Sequence, residues 1–177
     1  TGSLPGGNFS VLSYNVAGLL EGLSQSQPSV FTPLISPLLN GYDLVLVQED
    51  FFYHAELASD ATHPHQSSPQ AATSTPSNDG LNRFSFFPFT EFERQTGEEC
   101  HGWVASANDC LASKGFSFAR HEISPGVFLD VYNLHADAGG SAHDVETRRA
   151  QVNQLLAYID IHSAGNAVIV AGDTNLT

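Results

Sequence analysis

The chain has 177 residues, of which 41% are apolar, 14% charged and 10% aromatic, the composition of one ordinary globular domain rather than a disordered or fibrous chain. Six Lys and Arg stand against 19 Asp and Glu, a formal net charge of −13, and the first basic residue is Arg83, so residues 1–82 hold no basic groove for nucleic acid. No apolar run approaches the roughly 20 residues of a membrane-spanning helix, and no transmembrane segment is expected.

Residues 1–8 are rich in Gly and Pro and read as an N-terminal arm. FSVLSYN (9–15) alternates in the manner of a strand. From Thr32 the period changes: Leu34, Ile35, Leu38 and Leu39 recur at helical spacing. Pro33 suits the first helical position, Asn40-Gly41 a stop, and Pro37 a kink or early end. DLVLVQ (43–48) is a short apolar run, read as a buried strand with Glu49 and Asp50 at its exit.

Residues 59–80, with three Pro and many Ser and Thr, lack periodicity and are expected to form a long surface loop in which His63 and His65 are solvated. Residues 81–92 are dense in Phe and read as a core strand plus its turn. Residues 116–121 and 126–134 read as paired strands around Ser124-Pro125-Gly126. Residues 141–162 give the clearest helix. Ser141 and Asp144 have the spacing of a capping box, and Val145, Val152, Leu155, Leu156 and Ile159 are placed on one face. AVIVA (167–171) is another buried strand, opening into Gly172-Asp173-Thr174-Asn175.

Polar groups thus stand at the exits of four apolar strands: Asn15, Glu49, His135, and Asp173 with Asn175. A polar side chain there costs solvation unless it is paired, so the repetition points to convergence on one rim. Each alone has a bland reading as a turn former, a solvated carboxylate or a core histidine. A hard cation takes oxygen ligands such as Glu49 and the Asn15 amide, and keeps waters. Asp173 is suited to aligning a water, and His135 to hydrogen-bonding developing charge. Arg148 and Arg149 read as solvated helix charge, with a contribution to the site's field as the other reading.

The pieces SYNV, LVQED, YNLHADAG and VAGDTN resemble the endonuclease/exonuclease/phosphatase superfamily, which includes deoxyribonuclease I. The resemblance implies an α+β fold, a four-layer α/β/β/α sandwich of two mixed sheets flanked by helices. It further implies Asn15 and Glu49 as ligands of Mg²⁺ or another divalent cation, and His135, Asp173 and Asn175 as catalytic groups. NDGLNRFSFFPF and the segment running into Ser113-Lys114-Gly115-Phe116 look most like the sphingomyelinase branch, which makes Lys114 and Asp137 candidate substrate-binding residues. The expected activity is hydrolysis of a phospholipid headgroup ester. The alternatives are a deoxyribonuclease-like endonuclease and a non-catalytic binding module on the same fold.

The chain has no Met, which reads as a processed form or an excised piece. The sparse Lys and abundant Ser, Thr and Pro fit a secreted protein. Cys100 and Cys110 are then expected to pair in a disulfide, and Asn8, in the triplet Asn8-Phe9-Ser10, to carry a glycan that Asn175 does not. The family's terminal Ser-Asp-His segment has no match here. Residues 1–177 are therefore expected to be the N-terminal portion of a single domain, completed by a second chain or segment that bears the other histidine.

Overall fold

The computed structural model describes residues 7–22, 26–70, 78–98 and 113–176. Its strands and helices in chain order are β1 (Val11–Asn15), α1 (Pro28–Ile35), a 3₁₀ turn (Ser36–Gly41), β2 (Leu44–Gln48), α2 (His54–Ala58), β3 (His65–Gln66), β4 (Asn82–Ser85), β5 (Phe89–Thr96), β6 (Gly115–Ser124), β7 (Val127–His135), α3 (Ala142–His162) and β8 (Val168–Asp173).

The strands form two four-stranded sheets in the orders β1-β2-β4-β3 and β5-β6-β7-β8. In the first, β1 and β2 are parallel; in the second, β7 and β8 are parallel; the other pairs are antiparallel. Period-two alternation explains how the apolar β2 serves two cores at once. Leu44 and Leu46 point inward and meet Leu129 and Val131 of β7. Val45 and Val47 point outward and meet Leu39 and Leu57 in the helical layer. All four β2 side chains are buried, each contributing about 1.5–3 kcal/mol. On the far side of β7, Tyr132 and Leu134 pack with Phe116, Phe118 and the α3 residue Leu155. The result is the expected α/β/β/α sandwich.

Several local expectations are corrected. The first helix begins at Pro28, so Pro33 lies inside it, and the segment tightens to a 3₁₀ turn at Ser36. Pro37 has no N–H to continue an α-helix. The loop over 59–80 contains β3, and His63 is a buried residue whose Nε2 lies 2.9 Å from the Tyr42 carbonyl, with its ring 4.4 Å from that of Phe86. Residues 81–92 supply two strands in different sheets. On α3 the capping box is present, but Val145, Val152 and Leu156 are exposed. Its inward face is instead Asp144, Thr147, Arg148, Gln151 and Leu155, because the polar members of that face bind the loop that follows β7. Arg148 is therefore not a solvated charge: its guanidinium donates to the carbonyls of Asp137 at 3.1 Å and Gly139 at 2.7 Å.

Candidate active site

Parallel pairing aligns the carboxyl ends of β1 and β2, with Asn15 opposite Gln48, and likewise those of β7 and β8, with His135 opposite Asp173. Two buried amides then lock the sheets together one step behind the rim. Gln48 Nε2 donates to Asn133 Oδ1 at 2.7 Å, and Asn133 Nδ2 donates to the Val47 carbonyl at 2.9 Å. Gln48 immediately precedes Glu49, and Asn133 lies two residues before His135. The clamp therefore sets the distance between the two functional strand ends, and buried, hydrogen-bonded amides of this kind define one geometry.

The rim residues meet as follows. Asn15 Nδ2 donates to Asp173 Oδ2 at 3.0 Å across the two sheets. His135 Nε2 lies 3.7 Å from Glu49 Oε1 and 4.0 Å from Asp173 Oδ2. The Lys114 ammonium lies 2.7 Å from the same His135 nitrogen. Asn175 binds back to the rim, its N–H donating to Asp173 Oδ1 at 3.1 Å and its side chain to the Ala136 carbonyl at 2.9 Å. Asn15, Glu49, Lys114, His135, Asp173 and Asn175 thus form one connected cluster. Asp137 stands behind it, fully buried, with its N–H held by Gln151 Oε1 at 2.8 Å. Asn8 is exposed on the N-terminal arm. Cys100 and Cys110 lie outside the described residues.

Backbone strain is concentrated here. Among the described residues five non-glycine ones have positive φ, and Ala17 (49°), Glu49 (58°) and Asn175 (50°) belong to this rim; such conformations persist only where surrounding structure enforces them. For Glu49 the enforcement is visible. A Cβ on Gly18 would stand 2.7 Å from the Glu49 carbonyl oxygen, and one on Gly80, itself at φ +63°, would stand 2.9 Å from the Glu49 Cα. The two glycines let neighbouring backbone close on Glu49 from both sides.

Electrostatics follow from the contacts. An ammonium has only donors, so His135 Nε2 accepts from Lys114 and the neutral imidazole carries its proton on Nδ1. Burial first, then the Lys114 charge, hold the imidazole well below its ordinary pKa against the opposing pull of Asp173. Burial would raise the Asp173 carboxyl, but the Asn15 hydrogen bond, the Asn175 N–H and the Lys114 charge outweigh it and keep the group below the usual carboxylate range. The site therefore holds an ionised carboxylate beside a neutral histidine.

Among the described residues no three His, Cys, Asp or Glu side chains gather as a metal site. The donors present nevertheless fit a hard cation. The Glu49 carboxylate is partly open to solvent. The Asn15 amide oxygen accepts the Ala17 N–H at 3.0 Å, its one hydrogen bond among the described residues, and retains a lone pair. One carboxylate plus one amide, completed by water, is a donor set that Mg²⁺ accepts. Sequence reasoning did not mark Gln48 and Asn133, although an amide inside each apolar strand run, LVQED and YNLH, was the available clue.

Two sheets whose parallel strand ends converge on an Asn, a Glu, a His and a GDTN turn give the chain a deoxyribonuclease I-like fold. The solved structure of a β-toxin hairpin-deletion mutant from Staphylococcus aureus superposes with a TM-score of 0.79 at 18% identity, covering 96% of this chain and 68% of that one. Sphingomyelinase C from Streptomyces griseocarneus gives 0.77 at 22% identity, with 95% and 64% covered. TDP2 from C. elegans gives 0.68 at 13% identity, with 96% and 48% covered. By sequence the chain is 40% identical over 176 residues to the sphingomyelinases of Mycobacterium bovis and Mycobacterium tuberculosis, a match covering 96% of this chain. The chain spans about a third of the length of those relatives, 34%. No family model matches. No helix among the described residues is long and apolar enough to cross a membrane.

Proposed function

We propose that this chain is the N-terminal portion of a secreted, divalent-metal-dependent phosphodiesterase domain that hydrolyses a phospholipid headgroup ester of the sphingomyelin type. The observation that carries the reading is the single cluster joining Asn15, Glu49, His135 and Asp173 across the two sheets, in a chain 40% identical to mycobacterial sphingomyelinases. A solved β-toxin from Staphylococcus aureus with bound magnesium ions has the same fold, which supports Mg²⁺ as the cation. The net charge of −13 favours a zwitterionic headgroup over a polyanionic nucleic acid. The separate partner chain expected from sequence has no support in the fold or the relatives and is not part of this proposal.

In this reading Glu49 and Asn15 hold the cation, which when bound neutralises charge on the phosphodiester. Asp173 is ionised and anchored by hydrogen bonds to both its oxygens, so its remaining lone pairs are oriented to align a water for in-line attack on phosphorus. His135, neutral and buried, presents its Nε2 edge to the space shared by Glu49 and Asp173. The Lys114 ammonium adds positive potential for the phosphoryl oxygens. Asn175 fixes the turn that carries Asp173. The water oxygen bonds to phosphorus as the ester P–O bond breaks, and the proton that the water gives up ends on the departing alcohol.

The test is turnover of sphingomyelin against plasmid DNA by the complete protein, with and without a chelator. Sphingomyelin turnover should require the divalent cation. Glu49→Gln should lower it by at least about 10²-fold, a typical loss for a group that supports transition-state charge, at unchanged thermal stability. Full activity in Glu49→Gln, or cleavage of DNA alone, would remove the assignment.

A further inference from the structure

The outer helical layer over the first sheet carries a surface that the cluster at the strand ends does not use. On α1 and the 3₁₀ turn after it, Val30 is 53% exposed, Phe31 49%, Leu34 61% and Leu38 69%. The opposite side of the same segment already packs inward, with Ile35 and Leu39 against β1 and β2. The segment is thus apolar on both sides while lying in the outermost layer, a pattern that a solvated surface helix does not show. Leu38 also lines an open groove with Tyr14 and Tyr42, so two aromatic residues with polar tips border the apolar side chains.

Charge narrows what covers this surface. Within residues 1–42 the one charged side chain is Glu21, and its carboxylate is bonded by the Ser29 hydroxyl of α1. No Lys or Arg precedes Arg83. Glu56 on α2 and Asp60 just after it are exposed beside this segment, but α1 and its 3₁₀ extension themselves offer an anionic partner no Lys or Arg and a cationic one no carboxylate. An interface that is uncharged, aliphatic and edged by Tyr matches the boundary of a zwitterionic bilayer, where aliphatic side chains enter the acyl region and Tyr sits at headgroup level. The surface is also continuous with the candidate site. Tyr14 precedes Asn15 on β1, and the Ser26 hydroxyl just before α1 bonds the carbonyl of Ala17, two residues beyond Asn15, at 2.8 Å.

We infer that the exposed side of α1 and its 3₁₀ extension docks on a zwitterionic lipid surface and holds the strand-end cluster beside the headgroup layer. The inference rests on the proposed action on a lipid headgroup, but docking is measurable without turnover. The probe is flotation of the complete protein with pure phosphatidylcholine vesicles in the presence of a chelator, which separates binding from both substrate and metal. Wild type should float with the vesicles. The triple variant Phe31→Ser, Leu34→Gln, Leu38→Gln changes exposed positions that carry little folding energy, and should bind at least about tenfold more weakly, the loss expected when several inserted apolar side chains are removed. Replacing about a third of the lipid with phosphatidylserine should weaken wild-type binding, given the acidic chain and a surface without cations.

Turnover of a water-soluble phosphocholine diester should be equal in wild type and variant, since none of the three residues belongs to the catalytic cluster. Wild type that fails to float, or a variant that floats as well, overturns the inference. So does a wild-type dimer that the variant dissolves in the absence of vesicle binding, since the face would then join two copies. Variant-sensitive flotation with no turnover of any phosphodiester would leave docking in place and remove the proposed activity instead.

Discussion

Replacing Asn15 by Asp turns a hydrogen bond between the two sheets at the rim into a repulsion. In the native cluster the Asn15 amide donates to Asp173 Oδ2 at 3.0 Å, and the Asp173 carboxyl is held ionised by that bond together with the Asn175 N–H and the Lys114 charge. In Asn15→Asp two carboxylate oxygens face each other at about the same distance. Two unit charges about 3 Å apart repel by ~5.5 kcal/mol at an effective dielectric of 20 and by ~1.4 kcal/mol in bulk water. Both side chains are partly exposed, so the expected loss of stability at pH 7 lies toward the lower half of that interval, about 2–3 kcal/mol.

The pair can escape by sharing a proton, which raises one of its apparent pKa values above that of the unfolded chain. The sign is then fixed: the penalty is full above the raised value and fades as the pH falls below it. Asn15→Ala is the control, removing the donor without adding charge at a cost of about 1 kcal/mol. Urea denaturation of both variants at low ionic strength should place Asn15→Asp below Asn15→Ala at pH 7. The gap should shrink by at least ~1 kcal/mol at pH 4. Equal stabilities at pH 7, or a gap that pH does not alter, would refute both the contact across the sheets and the ionised state of Asp173.

Two other outcomes follow from single residues. Glu49 holds φ +58°, a region that costs a non-glycine residue about 1 kcal/mol; net of glycine's own entropic cost, Glu49→Gly should gain about 0.5 kcal/mol by denaturant titration while abolishing the proposed metal-dependent turnover. A loss of stability would show that the Glu49 side chain contributes more to folding than its backbone withdraws. His121 is held down to about 3 by burial, then by Arg83 and His65, so its contribution is complete above about pH 6.5 and is lost as the pH falls toward 3. Between pH 7 and 4.5 the chain should lose up to about 2–3 kcal/mol from this group alone, and His121→Gln should flatten the pH dependence of the urea midpoint; an unchanged slope would mean that another group titrates.

Much of the fold was legible because burial imposes a period on sequence. β2 was readable because each of its side chains is buried, and the β6–β7 hairpin because Gly126 takes a positive φ in the turn. The α3 start was readable because Ser141 and Asp144 satisfy each other's backbone groups. Reading failed where a neighbour decided burial. Val145, Val152 and Leu156 share a face by spacing, yet the inward face of α3 is set by Arg148 and Gln151 reaching the loop after β7. His63 looked like a loop histidine until Tyr42 and Phe86 closed on it.

For the candidate site, sequence alone determined which residue types stand at which strand exits, because an apolar run followed by a polar residue is a local pattern. It could not determine that Asn15 touches Asp173, 158 positions away, or that Lys114 reaches His135. The first contact depends on parallel pairing within each sheet and on the Gln48–Asn133 clamp between sheets, and the second on the antiparallel register that sets Gly115 opposite His135. The same tertiary packing holds Glu49 in its strained backbone between Gly18 and Gly80. Local preference alone would place Glu49 at negative φ and turn its carboxylate away from the cluster, so the position of that carboxylate belongs to the tertiary structure and to no shorter stretch of chain.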